Sequence, residues 1–416
     1  MTTTTTSETV RLPNRRAPIY ALLTANAISQ VGNMMTAVAI PWFVLQTTHS
    51  AAQTGLSAFA STLPIFFSGL VGGVIVDRVG AKRMSIIADL LSMITVALVP
   101  ILYAAGALSY PLLLALIVAG TILDTPGSTA RQTMMPDLAN QAGMKLERAN
   151  AAYGSIFRFS ILLGPPLAGL LIGFFGTANV LWIDAATFLV SALLIGLMTP
   201  RPAKQPQPAE RNHPVTEMLD GLRFFGRERL LLALLILFAV VDLLANAVVL
   251  VVLPVFTSTL YGTAESYGLM LGVFGGGTLT GTLLYGARGH NWSRRALIIF
   301  AIFGFGLPLW VLAALPSFAI ALVMSFIMGL VIGPVGPMIM TLYHERVPAE
   351  MRGRVFGTRA ALDTLSIPFA ALFTGVIVQG IGLQITLVGF AIAFLIVTAA
   401  AALTPIFKTL SVKSQP

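Results

Sequence analysis

The residues best suited to chemistry in this sequence are a few ionisable side chains that interrupt long apolar stretches. Asp242 lies in the middle of LLLALLILFAVVDLLANAVVLVV, and Asn246 follows it one helical turn later. A carboxylate in hydrocarbon is costly to keep charged, so such a group readily takes up a proton. Asp242 is therefore the first candidate for a proton-binding site, with a structural hydrogen bond as the alternative. Other ionisable residues within or beside apolar stretches are Asp89, Asp124, Arg158, Asp184 and Asp363.

The composition places the chain in a membrane. Its 416 residues are 56% hydrophobic and 10% charged, whereas soluble domains carry about 25% charged residues. Apolar stretches recur that are each long enough to cross the hydrocarbon core as a helix. The absence of cysteine excludes disulfides, thiol catalysis and cysteine-ligated metals. We expect no metal site and no cofactor, since the histidines show no metal-ligand spacing: His49, His213, His290 and His344.

The apolar pattern predicts an all-α membrane protein with twelve transmembrane helices in two pseudo-symmetric six-helix bundles. The helices are predicted at 18–46, 54–76, 84–105, 108–128, 151–174, 178–198, 229–258, 265–286, 295–314, 317–341, 355–378 and 383–406. The predicted domains are a cytoplasmic tail (1–17), an N-terminal bundle (18–198), a cytoplasmic linker (199–228), a C-terminal bundle (229–406) and a second tail (407–416). With about 1.5 Å of rise per residue, Asp242 lies near the midplane and Asp124 in the cytoplasmic third of its helix.

The basic residues are confined to one side of the predicted membrane. Of 25 Lys and Arg residues, all but Arg158 fall in the tails, in the loops after even-numbered helices or at the adjoining helix edges; Arg131 falls in such a loop. This asymmetry follows the positive-inside rule and predicts that both termini are cytoplasmic. It also accounts for the net charge of +9 without a nucleic-acid partner. The polar N-terminus has no apolar core and cleavage site, so it does not predict a signal peptide.

The linker at 199–228 changes character along its length. Five prolines in TPRPAKQPQPAERNHP predict an extended, semi-rigid segment. The following residues are amphipathic, with apolar side chains at helical spacing. They predict a short helix at the membrane surface, whose apolar residues are Val215, Met218, Leu219, Leu222 and Phe225.

The two halves show traces of an internal repeat. Asn33, Pro41 and Gly55 recur as Asn246, Pro254 and Gly268, with the same spacings and a constant offset of 213. A weaker echo relates Arg148 and Gly169 to Arg354 and Gly375. Repeated six-helix halves are typical of secondary transporters, which bind substrate near the midplane between the repeats.

The first helix carries a polar stripe. Asn26, Ser29, Gln30 and Asn33 follow the i, i+3, i+4, i+7 spacing of one helix face. Polar groups on a spanning helix avoid lipid, so this face either lines a water-filled cavity or hydrogen-bonds to other helices. We expect it to line the substrate pathway, together with Asp124, Arg158, Asp242, Asn246 and Asp363.

Several motifs make the chain resemble the major facilitator superfamily of transporters over roughly residues 16–406. GVIVDRVGAKR, from Gly73 to Arg83, matches the family's loop motif after the second helix at Gly73, Asp77, Arg78, Gly80, Lys82 and Arg83. GPPLAG at 164–169 is similar to the antiporter motif of exporters through Gly164, Pro165 and Gly169, with Ala168 as a departure. The stretches MLDGLRF, RVPAEMRGRV and IDAATF resemble the drug and siderophore exporter branch, of macrolide-efflux and enterobactin-exporter type.

The resemblance implies roles for these motifs. The charges from Asp77 to Arg83 would form a cytoplasmic latch between the halves, with Asp77 near the start of helix 11; setting the topology is the alternative. Many proton-coupled exporters of the superfamily carry an arginine in helix 4, but 108–123 contains none. The resemblance therefore does not support a proton relay built on that arginine, and Arg158 is the candidate to replace it.

The pattern as a whole predicts a secondary active transporter that works by alternating access and exports amphipathic drugs or secreted metabolites in exchange for protons. Its expected partners are a small-molecule substrate, protons and the lipid bilayer. We expect a monomer in the bacterial cytoplasmic (inner) membrane, with no nucleic-acid partner. A dedicated exporter of anionic siderophores is an alternative, and an uptake carrier is another. A membrane enzyme or sensor is disfavoured, because no nucleophile–base pair is visible.

Overall fold

The computed structural model describes residues 16–200 and 214–411. The predicted tails at 1–15 and 412–416 and the proline-rich part of the linker at 201–213 lie outside the described residues. The first half contains α1 Ala17–Thr48, α2 Ala51–Val79, α3 Ala81–Ala104, α4 Tyr110–Gln141, α5 Leu146–Phe175 and α6 Thr177–Met198. The linker helix is α7 Pro214–Arg227.

The second half contains α8 Arg229–Ala247, a π-helical turn Val248–Val252, α9 Leu253–Leu260, α10 Ala264–Arg288, α11 Arg294–Ala313, α12 Phe318–Ile332, α13 Val335–Arg346, α14 Arg352–Ile381 and α15 Leu383–Leu403. The helix α8, the π-helical turn and α9 form one continuous span, Arg229–Leu260. The helices α12 and α13 together form the span Phe318–Arg346. Among the described residues, eleven spans are long and apolar enough to cross a membrane. The helix α2 is bent by 62° between Gly69 and Val71, and it makes a twelfth span if its two parts count as one. The all-α prediction is confirmed.

Local sequence explains where the helices begin and end. Ser50 and Ser109 are N-caps, whose hydroxyls accept hydrogen bonds from Gln53 N and Leu112 N. Gly176 and Gly382 have φ of +81° and +85°, which only glycine adopts without strain. These two glycines lie 206 residues apart, which is also the offset between Gly169 and Gly375. The backbone conformation at these positions is therefore repeated in the two halves.

The fourth and fifth helices are longer than predicted. The fourth was expected at 108–128 and runs from Tyr110 to Gln141, and the fifth begins at Leu146 instead of 151. The added turns of α4 bury Met134, Met135 and Leu138, so packing holds them helical despite their polar neighbours. Arg131 therefore lies inside α4, and its predicted loop position is wrong.

The longer helices correct the predicted depth of Asp124 and place Arg158. Asp124 falls near the middle of α4 and not in its cytoplasmic third, since it is the fifteenth of 32 residues. Arg158 lies near the middle of α5, about 18 Å from its start at 1.5 Å per residue, because that helix begins at Leu146.

The two halves touch at one end of the helices. We call this the far end: it is where α1 stops and α2 starts. A methyl group added at Gly55 would meet Cα of Gly375 at 2.9 Å, and one added at Gly169 would meet Cα of Gly268 at 3.0 Å. Only glycine permits such close backbone approach. These are the residues of the two sequence echoes, so each repeat supplies one glycine to each contact.

Other far-end contacts also cross between the halves. Gln379 Oε1 of α14 accepts hydrogen bonds from Ala51 N at 2.9 Å and Ser50 Oγ at 3.2 Å. Trp42 of α1 stacks on Tyr267 of α10, with ring centroids 6.4 Å apart. The far end is therefore closed by polar and aromatic contacts as well as by glycines.

At the opposite end, where α1 begins, the same helices stand apart. We call this the near end. Methyl groups added at Gly73 of α2 or at Gly353 and Gly357 of α14 would meet no atom within 4 Å. Because α2 and α14 touch at Gly55 and Gly375, they diverge along their length and leave a gap between the halves at the near end.

Candidate functional site

A buried ion pair lies at the centre of the first half. Arg131 Nη1 of α4 donates to Asp89 Oδ1 of α3 at 2.8 Å, and Ser191 Oγ of α6 donates to Asp89 Oδ2 at 2.7 Å. The exposed fractions of Arg131 and Asp89 are 1% and 0%. Charges this deep are stable only when paired and hydrogen-bonded. Hydropathy alone did not reveal Arg131, because the fourth apolar stretch ends before it while the helix continues to Gln141.

Asp124 is a second carboxylate for the same guanidinium. Its Oδ1 lies 3.9 Å from Arg131 Nη2, and its Oδ2 accepts a hydrogen bond from Asn33 Nδ2 of α1 at 3.2 Å. The side chain is 27% exposed, but its Oδ1, the atom nearest Arg131, is buried without a hydrogen-bond partner. Asp124 is therefore less enclosed than Asp89. Arg131 is thus shared between a fully buried carboxylate and a partly exposed one.

Asp184 of α6 is buried against α1. Its Oδ2 accepts from Thr36 Oγ1 at 2.5 Å and its Oδ1 from Thr187 Oγ1 at 3.0 Å. The carboxyl is 0% exposed and is held by hydroxyl donors. Gly32 of α1 faces this group, since an added methyl would overlap Asp184 Oδ1 and Thr187 Oγ1.

Gly32→Ala is expected to weaken this contact between α1 and α6. The methyl has no room beside the carboxyl, and overpacking of this kind costs about 1–3 kcal/mol. We expect a lower apparent melting temperature in detergent and reduced transport. Gly389→Ala is the matched control, because a methyl there meets no atom within 4 Å. Equal melting temperatures for the two variants would contradict the assigned contact.

The polar stripe of α1 divides into buried and accessible residues. Asn26 and Ser29 are 0% exposed, so in this conformation they do not line a cavity, contrary to expectation. Gln30 and Asn33 are partly exposed, and Asn33 contacts Asp124. The beginning of the stripe, Asn26 and Ser29, packs inside the first half. Only its last residue, Asn33, contacts the carboxylate of Asp124.

The second half contains its own charged group. Asp242 of α8 interacts electrostatically with Asp363 and Arg359 of α14. Arg359 Nε lies 3.3 Å from Asp363 Oδ2, and its guanidinium carbon lies 5.1 Å from the centre of the Tyr343 ring of α13. Each half therefore places one arginine beside two carboxylates.

Asn246 supports the helix that carries Asp242. Its Nδ2 donates to the backbone oxygen of Asp242 at 2.8 Å. The π-helical turn Val248–Val252 follows directly, and such turns are frequent at functional sites. This side chain stabilises the backbone of α8 and does not contact the carboxyl group of Asp242 by this bond.

Arg158 lies on the face of α5 that meets α10. Leu162, Pro165 and Gly169 follow it at helical spacing and lie against α10. Arg158 itself is exposed, and a methyl group added at Gly154, one turn nearer the start of α5, would meet no atom within 4 Å. It therefore borders the gap between the halves and is a separate feature from the buried pair in α3 and α4.

The residues of the predicted latch do not act together in this conformation. Asp77, Arg78 and Arg83 are exposed, and Gly73 faces open space. Lys82 Nζ instead donates to Gly196 O at 2.9 Å and to Thr199 O at the end of α6. Lys82 thus ties α3 to α6 within one half.

The second half contains an equivalent hydrogen bond between a basic side chain and the end of another helix. Arg295 Nη2, at the start of α11, donates to Ala402 O near the end of α15 at 2.7 Å. Arg295 lies 213 residues after Lys82, which is the offset of the repeat. Cations at helix C-termini are favourable, so both ties stabilise their own halves.

Gly80 has a separate reason to be glycine. Its φ is +91°, and its N–H closes α2 by donating to Val76 O at 2.8 Å. The motif in α5 acts at contacts: a methyl at Gly164 would overlap Met34 of α1, while one at Gly268 would overlap the carbonyl oxygen of Pro165. The antiporter-type motif therefore lies where α5 meets both α1 and the second half.

Carboxyl groups outnumber guanidinium groups in this buried cluster of the first half. The first half holds three carboxyls, Asp89, Asp124 and Asp184, against one buried guanidinium. Uncompensated buried carboxylates neutralise by taking up protons. Within the described residues no group of three or more His, Cys, Asp or Glu could hold a metal ion.

Comparison with known proteins identifies the family. The model of the transmembrane secretion effector family, a branch of the major facilitator superfamily, matches residues 12–416. The chain belongs to this family. The resemblance drawn from the loop and α5 motifs is thereby confirmed.

Relatives of the family are named as drug exporters. The multidrug efflux pump Tap of Mycolicibacterium fortuitum is 33% identical over 97% of this chain and 99% of its own length. Macrolide efflux protein A of Streptococcus pyogenes is 25% identical over 89% of this chain and 92% of its own length. The nucleoside transporter NupG superposes with a TM-score of 0.75 at 13% identity, over 94% of this chain and 99% of its own, which shows the same fold.

The family fixes the class of activity. Its members are transporters, so the chain is a multi-pass membrane transporter with small-molecule substrates and not an enzyme. The major facilitator fold predicted from sequence is confirmed. The residues discussed above can then be considered as parts of a transport pathway.

Proposed function

We propose that the protein exports amphipathic drugs or secreted metabolites by alternating access, driven by inward proton movement. The likeness to multidrug and macrolide efflux proteins supports export. The single observation that carries the proton coupling is the position of Asp124. It is partly exposed, next to Asn33 of the α1 stripe, and beside a guanidinium that a fully buried carboxylate already neutralises.

This geometry supports reversible protonation. Asp124 is 27% exposed, whereas Asp89 is 0% exposed and occupies Arg131 at close range. This difference supports Asp124 as the carboxyl that exchanges its proton. A bound cationic or polar substrate near Asn33 would favour the charged carboxylate and expel its proton. Asp242 would act in the same way in the second half, since Arg359 is already paired with Asp363.

The contacts between the halves support alternating access. The far end is closed through Gly55–Gly375 and Gly169–Gly268, and the near end is open at Gly73 and Gly357. The basic residues gather at the near end, so we assign that end to the cytoplasm. The conformation is then open to the inside, and the exposed Asp77 is free to approach the start of α14 when the near end closes, as the latch requires.

The membrane potential provides enough energy for export. One elementary charge moving down 100 mV supplies ~2.3 kcal/mol. At ~1.4 kcal/mol per tenfold change in concentration, one proton per cycle would sustain a gradient of roughly 40-fold.

A dedicated exporter of anionic siderophores is the second candidate. Arg158 favours it, because this exposed guanidinium borders the gap between the halves. Binding of a catecholate siderophore that weakens with salt and is lost in Arg158→Ala would favour this candidate. Unchanged binding in that variant would remove its support.

Proteoliposomes with an imposed pH gradient test the main proposal. Internal pH is followed while ethidium, a macrolide or a catecholate siderophore is added. We expect substrate-triggered proton movement in the wild type and its loss in Asp124→Asn or Asp242→Asn. Glu147→Gln, which removes an exposed carboxyl at the start of α5, is the control and should behave as wild type. Substrate flux without any proton movement would overturn proton coupling.

A further inference from the structure

The linker helix α7 is docked on the second half near its charged group. Phe225 is 0% exposed, and its ring lies edge-on to Tyr343, with centroids 6.0 Å apart. Leu219 and Leu222 on the same helix are 45% and 38% exposed. The predicted apolar face is thus divided: one part packs on α13, and another part remains at the surface.

Polar and backbone contacts fix the same helix to α14. Arg354 Nη1 lies 3.2 Å from Asp220 Oδ2, and Thr358 Oγ1 donates to Met218 O at 3.2 Å. A methyl added at Gly221 would overlap Thr358 Oγ1 and come within 2.8 Å of Arg354 O. The backbones of α7 and α14 therefore approach closely next to Arg359.

The contact continues from Tyr343 to the carboxylates. The guanidinium carbon of Arg359 lies 5.1 Å from the Tyr343 ring centre, a distance at which a cation is attracted to an aromatic face. Arg359 Nε in turn lies 3.3 Å from Asp363 Oδ2, and both residues act electrostatically on Asp242. One chain of contacts thus runs from Phe225 to Asp363, and Asp242 of α8 is within electrostatic range of its charged end.

We propose that Tyr343, braced by the linker helix α7, positions Arg359 against Asp363 and so sets the pH at which the second-half carboxyls Asp242 and Asp363 release protons. Tyr343 is a positioning residue, since it acts through the guanidinium. This inference rests on the proposed proton coupling.

The charges surrounding the group favour this assignment. From α8 comes Asp242, from α13 Tyr343, and from α14 Arg359 and Asp363. At the α7 contact, Asp220 pairs with both Arg354 at 3.2 Å and Arg223 at 3.4 Å. Arg359 is the cation that acts on both carboxyls, so its position controls how readily they stay charged.

Proton release from detergent-solubilised protein tests the proposal. Ethidium is added to unbuffered protein at a series of pH values, and the released protons are followed with an indicator dye. Tyr343→Leu removes the ring, so Arg359 is no longer held and the carboxyls keep their protons to higher pH. We expect the midpoint of release to rise by about 1 pH unit, the low end of the effect of an opposite charge.

Matched variants separate positioning from general damage. Tyr343→Phe retains the ring and should keep the wild-type midpoint. Phe225→Leu and Gly221→Val disturb the docking of α7 and should raise the midpoint in the same direction as Tyr343→Leu. Leu222→Ala, at an exposed position of α7, should leave it unchanged. A variant that does not fold is recognised by its melting curve. If one of Phe225→Leu and Gly221→Val fails to fold, the midpoint measured for the other tests the role of α7 docking.

The outcomes distinguish this inference from the proposed function. If Asp242→Asn releases as many protons as the wild type, the second-half proton site is wrong and the inference falls with it. If Asp242→Asn lowers the release but the Tyr343→Leu midpoint equals that of Tyr343→Phe, proton coupling stands and the positioning role is overturned.

Discussion

Replacing Arg131 by methionine is expected to abolish proton-coupled transport and to destabilise the protein. The substitution leaves Asp89 buried at 0% exposure without its cation. Loss of one partner from a buried ion pair costs about 3–5 kcal/mol. Asp124 also loses the guanidinium that lies 3.9 Å away. Thermal unfolding in detergent and substrate-triggered proton movement in proteoliposomes measure the two effects.

A second variant separates stability from coupling. Arg131→Met combined with Asp89→Asn removes both charges, and a neutral pair of similar volume is often no less stable than a buried ion pair. We expect most of the lost stability to return while proton-coupled transport stays absent. Arg148→Met, at an exposed site early in α5, controls for loss of a basic residue. Normal proton coupling in Arg131→Met would show that the shared guanidinium is dispensable.

Gly268→Leu is expected to prevent closure of the far end. The added side chain would overlap Pro165 O and come within 2.8 Å of Gly169 Cα, and neither backbone can give way. Overpacking of about 1–3 kcal/mol corresponds to a shift of roughly 5- to 150-fold in the population of the closed state. Transport should fall accordingly, because the cycle requires both states.

The closed far end can be measured directly. The chain has no cysteine, so cysteines introduced at Ser50 and Gln379, whose side chains are hydrogen-bonded at 3.2 Å, report closure through a short thiol crosslinker. We expect efficient crosslinking in the otherwise unmodified protein and much less with Gly268→Leu. Gly389→Leu, facing open space, should crosslink normally. Unaltered crosslinking in Gly268→Leu would show that the contact between Gly169 and Gly268 does not control closure of the far end.

Much of the fold was predictable because the membrane restricts the choices. Long apolar stretches must be helices there, and the basic residues mark one side. The echo of Gly55 in Gly268 and of Gly169 in Gly375 pointed to the repeat. Spacing alone could not show that the members of one echo meet those of the other, because that depends on how the halves pack.

The charged groups were predictable only in part. Asp124 and Asp242 stood out as ionisable residues in apolar stretches. Arg131 did not, because its neighbours in GSTARQTMMPDL are polar and hydropathy ended the helix before it. The run of Met134, Met135 and Leu138 on one face was the signal that could have extended α4 and placed the guanidinium inside.

The sequence by itself determined a polytopic transporter of known family, with its charges on one side and its carboxyls in hydrocarbon. Composition and periodicity suffice for this, because they reflect how each segment meets lipid and water. The tertiary structure decided which carboxylates share Arg131, that Lys82 ties α3 to α6, and that Phe225 of the linker reaches Tyr343. Those pairings join residues far apart in sequence, and they exist only once the helices have packed against one another.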